Sequence, residues 1–174
     1  MVGGLSLVAT GCLAGGARLR VGPVIDSEGH AAIQADLGIG FGYATTDRSG
    51  VMVHAHVGGG SRDRLAVGES VEYVRFADDY GWRSGASFDV APVDDRFRGW
   101  IQSAITYPLR SRHHSGGHEK SFQTSSRSRW SVGIEARGGV VSDSIDEGES
   151  HSTRNAAAFG LAATLEWSAF SRVH

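Results

Sequence analysis

The stretch "AAIQADLGIGFGYATT", residues 31–46, sorts its side chains by parity. Odd positions read Ala31, Ile33, Ala35, Leu37, Ile39, Phe41 and Tyr43; even positions read Ala32, Gln34, Asp36, Gly38, Gly40, Gly42 and Ala44. Successive side chains of a strand point to opposite faces, so one face here is apolar and the other is polar or nearly bare. The pattern returns in 80–90, where Tyr80, Trp82, Ala86, Phe88 and Val90 oppose Gly81, Arg83, Gly85 and Asp89. In 130–140, Trp130, Val132, Ile134, Ala136 and Val140 oppose Arg129, Gly133, Glu135 and Arg137, and in 157–169 the apolar set ends on Leu165 and Trp167 beside Glu166.

Working outward, period-two alternation predicts strands at about 17–26, 31–44, 50–58, 65–76, 80–91, 96–109, 122–141 and 156–170, and no segment has helical periodicity. Turn clusters such as "DSEGH", "TDRSG" and "PVDD" separate them, and two longer loops are expected at 110–121 and 142–154. Antiparallel neighbours without a crossover helix imply an all-β fold, an antiparallel up-and-down β-barrel of about eight strands, because closure removes exposed edges. In 65–76, Val71 and Tyr73 compete with Val74 and Phe76 for one face, which predicts a bulge.

The faces differ in a way that bears on solvent. Strand positions that meet water usually carry Thr, Lys, Glu or Gln, yet the less apolar face here carries Gly38, Gly40, Gly42, Gly81, Gly85, Gly133, Gly139 and Gly160. A narrow interior needs such small residues between large ones. The large ones are Asp36, Arg83, Asp89, Arg98, Glu135, Arg137 and Glu166, nearly balanced in sign, as a buried set must be. They are expected to form an interior charge network that closes the lumen. If the first strand runs upward, Tyr43, Tyr73, Tyr80, Trp82, Tyr107, Trp130 and Trp167 gather toward the lower rim, and Phe88, Phe97 and Phe159 toward the opposite one. Tyr and Trp collect where hydrocarbon meets headgroups. Ile33, Leu37, Ile39, Phe41, Ile134, Leu161 and Leu165 are accordingly expected on the outer face.

In strand number, alternation and aromatic girdle, residues 17–170 resemble small eight-stranded outer-membrane β-barrel proteins of the OmpA type. The resemblance implies a bacterial outer-membrane location with the lipid bilayer as partner. It carries no catalytic motif, and the ending "WSAFSRVH" departs from the aromatic C-terminal residue usual in that group. The start, "LSLVATGCLAGG", resembles a bacterial lipoprotein signal that is cut before its cysteine, which is then acylated. On that resemblance 1–11 is a signal segment, Cys12 the lipidation site, 12–16 an anchor linker, and 17–174 a single domain.

The chain has 174 residues, 25 glycines, 3 prolines and a formal charge of -2, which suits one folded domain without a strong pull toward nucleic acid. Its one cysteine allows no internal disulfide. No nucleophile, metal-protease, redox or phosphate-loop pattern occurs, so neither catalysis nor a cofactor is expected. His113, His114 and His118 crowd one loop as weak metal candidates, while His54 and His56 share a strand face and suit interior hydrogen bonds. His151 with Ser152 is the only pair that could serve an enzyme acting on lipid. The function expected is that of a monomeric outer-membrane-associated barrel with a structural or interaction role, with loops 110–121 and 142–154 available to a protein partner. The alternative is a lipid-anchored soluble lipocalin-like carrier, whose apolar face would line a cavity.

Overall fold

Eight strands hold most of the residues that the computed structural model describes, which are 12–116, 124–147 and 150–173. In chain order they are β1 (Cys12–Asp26), β2 (Ala31–Thr46), β3 (Ser49–Gly60), β4 (Ala66–Phe76), β5 (Gly81–Ala91), β6 (Arg96–Gly116), β7 (Thr124–Glu147) and β8 (Ser150–Val173). Each pairs antiparallel with the next, and β8 pairs back onto β1 from Cys12↔Arg172 to Asp26↔Ala158, so the sheet closes on itself. We call the end where β1 begins lower and the end where it finishes upper.

The register follows the parity of the side chains. Leu37, Ile39, Phe41 and Tyr43 all point outward from β2, while Gln34 and Asp36 point in. A one-residue slip would reverse every face, and the paired strands on either side hold this register with a single irregularity, between Ala44 and Thr46.

The up-and-down β-barrel of about eight strands expected from the sequence is corrected here. What forms is an all-β, eight-stranded antiparallel sheet with a hydrogen-bonded β1–β8 closure, and its strands run from 11 residues in β4 and β5 to 24 in β7 and β8. β6 and β7 extend past β5 as a ribbon at the lower end, and β7 and β8 extend past their neighbours as another at the upper end. Residues 110–116 and most of 142–154, expected as loops, belong to these ribbons, through pairs such as Arg112↔Ser128 and Asp143↔Arg154. Ladder hydrogen bonds join main chains, so polar side chains do not stop them. Residues 12–16, expected as a linker, begin β1, pairing with β8 from Cys12 and with β2 from Ala14. Residues 1–11 lie outside the described set.

The bulge expected in 65–76 is absent: β4 pairs without a register shift on both sides. Val74 and Phe76 point inward because the interior itself turns apolar at the lower end. There Phe170, Phe76, Met52, Val74, Ala44, Ala14 and Cys12 form one cluster, with Phe76 and Phe170 meeting edge to face at 5.1 Å. A smaller cluster of Val24, Trp100 and Ala158 lies at the upper end. Between the two clusters the interior is charged.

Candidate functional site

Among the described residues, the interior carries six buried arginines (Arg18, Arg20, Arg83, Arg98, Arg129, Arg137) and six buried carboxylates (Asp36, Asp63, Glu72, Asp89, Glu135, Glu166). Most of them form a continuous chain. Arg20, 0% exposed, donates from Nε to Asp36 at 2.8 Å and from Nη1 to Glu135 at 2.8 Å. Arg83 pairs with Glu135 at 2.6 Å, with Glu166 at 2.8 Å and with Glu72 at 3.2 Å. Arg18 Nη1 donates to both oxygens of Glu72, at 2.6 and 2.8 Å. Gln102 and Ser70 also donate to Glu72. Side chains of seven strands therefore meet in one network, each charge held by an opposite one, which is the condition for burying charge at all.

Toward the upper end a second group forms. Asp89 accepts from the Trp100 indole at 3.0 Å and contacts His56 Nε2. The β3–β4 loop folds inward, so that Asp63 accepts from Arg96 and Arg98 at 2.6 Å each. The glycine-rich "GGGSRDR" stretch thus delivers an acid that closes the top of the interior.

Two glycines show why the inner face needs them. A Cβ on Gly40 would lie 2.3 Å from Cδ2 of His54, whose ring lies against that backbone. A Cβ on Gly160 would lie 2.6 Å from Nε of Arg137. Both sites trade a side chain for room beside a large polar neighbour.

All seven charges expected in the interior are buried there. Arg137 departs from the expected pairing. Among the described residues it has no carboxylate partner; it donates to Gln34 Oε1 at 2.8 Å and lies 4.8 Å from the Trp100 ring centre. Arg18, Arg20, Glu72 and Asp63 are network members that the sequence reading missed. Cys12 is 8% exposed, a free thiol turned into the lower apolar cluster, so an acyl group on it would not emerge on the outer wall. His113 and His114 lie on the β6 extension and His118 outside the described residues. Among described residues the cluster with metal-ligand spacing is Asp26, Glu28 and His30 at the upper turn. Its acids are already engaged: Asp26 by Arg62 at 3.2 Å and Glu28 by Arg154. Burial works to raise the Asp26 carboxyl, but hydrogen bonds from the His30 and Glu28 amides and the His30 ring outweigh it and hold it below its ordinary value.

The outer face is the converse of the interior. Phe41 is 74% exposed, Ile101 74%, Phe159 69%, Ile39 68% and Ile134 67%. Tyr43, Tyr73, Tyr80, Trp82, Tyr107 and Trp130 stand exposed toward the lower end, with Trp167 half-buried against Trp130 in the ladder. Phe88, Phe97 and Phe159 stand exposed toward the upper end. Two charges on β4 break that face: Glu69 points outward between Val67 and Val71, and Arg75 points outward beyond Tyr73.

The chain is thus an all-β protein of inverted polarity, charged within and apolar without. No family model matches it, and no curated protein matches it. Among solved structures it is similar to the β domain of the Bordetella autotransporter BrkA, at 9% identity over 92% of this chain and 98% of that one, with a TM-score of 0.26. The OmpA-type resemblance read from the sequence is corrected to what stands, an all-β sheet of eight antiparallel strands with weak, distant similarity to an autotransporter β domain. Both functional expectations fall with it. The structural or interaction barrel rested on that resemblance and on the barrel geometry corrected above. The lipocalin-like carrier needs an apolar cavity where this interior holds arginines and carboxylates.

Proposed function

We propose that the outer face of this protein is covered by the acyl chains of a lipid bilayer, and that the bacterial outer membrane is where the protein resides. One observation carries the reading: large apolar side chains lie outside while arginines and carboxylates are buried within. A water-soluble domain rarely exposes a contiguous apolar patch beyond a few hundred Å². Here such residues cover strand after strand, from Ile33 on β2 to Leu161 on β8. Hydrocarbon also demands that backbone groups be paired, and closure through β1–β8 leaves the sheet without a free edge strand. Tyr and Trp toward one end suit the headgroup level. The reading assigns no catalytic role; the protein's work is to hold its place in lipid.

The test is membrane fractionation. Expressed in a bacterial host, the protein stays in the outer-membrane fraction through a salt and carbonate wash and needs detergent for release. Release by the wash as a folded protein would refute the reading.

A further inference from the structure

Outside the wall at the lower end, a cleft of about 660 Å³ opens between the β2–β3 turn and the β4–β5 hairpin. Tyr73, Trp82 and Ile105 form its apolar side, and Arg48, Arg75 and Tyr80 its rim. The Tyr73 and Trp82 rings are 6.0 Å apart and tilted by 59°, and the Trp82 indole is fixed by donation to Ser103 Oγ at 3.2 Å. Arg75 is exposed, lies beside Trp82 in the β4–β5 ladder, and has no ion-pair partner among the described residues. Arg48 is 3.3 Å from Asp78, an acid that Arg127 also reaches at 3.4 Å. Asp47 and Asp79 sit in the same two turns without lining the cleft.

We infer that this cleft holds one anionic glycerophospholipid of the bilayer. The inference rests on the membrane reading above and names a partner for it. Arg75 takes the phosphate, since a guanidinium matches phosphate oxygens two at a time. Arg48, shared with Asp78, is the weaker second donor. Trp82 and Ile105 belong to the outer apolar face, so one acyl chain lies along them without leaving the layer of its neighbours. A free inorganic phosphate would use Arg75 but leave that apolar wall uncovered, and the phospholipid satisfies both.

The experiment compares phosphatidylglycerol with phosphatidylcholine of identical chains. The protein is reconstituted in vesicles of the two lipids, washed with carbonate, extracted in mild nonionic detergent and weighed by native mass spectrometry. Wild type retains one phosphatidylglycerol in preference to phosphatidylcholine. Arg75→Gln lowers that retention about five-fold, the value of one arginine at an anionic surface, and leaves phosphatidylcholine retention unchanged. Arg75→Lys keeps most of the preference and guards against a folding defect in the glutamine variant. Equal retention of both lipids by wild type, or an unchanged preference in Arg75→Gln, overturns the lipid site while leaving the membrane reading intact. Protein released by the wash overturns both.

Discussion

Removing Glu72 should be costly in proportion to what it leaves behind. Arg18 is 3% exposed and its only ion-pair partner among the described residues is Glu72, which it meets through both carboxylate oxygens. Glu72→Gln therefore leaves a guanidinium buried without a counter-charge, a loss of about 3–5 kcal/mol. Glu166 offers the control. Its partner Arg83 retains Glu135 and Glu72, so Glu166→Gln should cost about 1–2 kcal/mol, the scale of one charged hydrogen bond. The double variant Arg18→Met/Glu72→Leu removes both charges and should recover most of the stability, because apolar replacement of a whole buried pair is often neutral. Urea unfolding from lipid vesicles, followed by tryptophan fluorescence, gives all three values. A cost below about 1 kcal/mol for Glu72→Gln, or a double variant worse than Glu72→Gln alone, would refute the reasoning that this pair is dry and mutually required.

Gly40→Ala puts a methyl where the His54 ring lies and should cost about 1–3 kcal/mol, partly restored by His54→Ala, in the same unfolding assay. Phe170→Ala empties the centre of the lower apolar cluster and should cost about 3–5 kcal/mol, with faster amide exchange at the lower ends of β1 and β8. Glu69→Leu replaces an outward carboxylate in an apolar field, and in bilayers should raise stability by about 1–2 kcal/mol; a loss of stability would argue for water at that position. The Asp26 carboxyl lies below its ordinary 3.8 in the folded chain, so its contribution to the upper turn is fully present above that value and is lost as pH falls through the lower one. The His30 amide signal, read by NMR against pH, should follow that titration and lose it in Asp26→Asn.

The parity of residues 31–46 made the faces legible because it is strict and unbroken. The interior charges Asp36, Glu135 and Glu166 were legible for the same reason, each flanked by outward apolar neighbours. Glu72 was hidden because Val74 and Phe76 share its face, and the reading assumed that one face keeps one polarity from end to end. The apolar cluster at the lower end breaks that assumption. Arg18 and Arg20 alternate cleanly with Leu19 and Val21, and were visible to the same argument had it been applied to β1. Asp63 could not be placed from periodicity, since a loop residue reaches the interior only through the path of its loop. The ribbons of β6, β7 and β8 escaped for a different reason. Their outer segments are rich in Ser, Arg and His, and a hydrophobic pattern says nothing about a ladder made of main-chain hydrogen bonds.

The central claim is that lipid covers the outer face, and β2 tests it most directly. In a Cys12→Ser background, single cysteines at Leu37, Ile39 and Phe41 carry an environment-sensitive fluorophore, with Glu28 at the upper turn as the aqueous control. After reconstitution in vesicles, quenching is compared between spin-labelled acyl chains and aqueous iodide. The account predicts strong quenching by the acyl-chain label and little by iodide at all three positions, with the reverse at Glu28. Iodide quenching of Leu37, Ile39 and Phe41 as strong as that of Glu28, in folded protein, would contradict it.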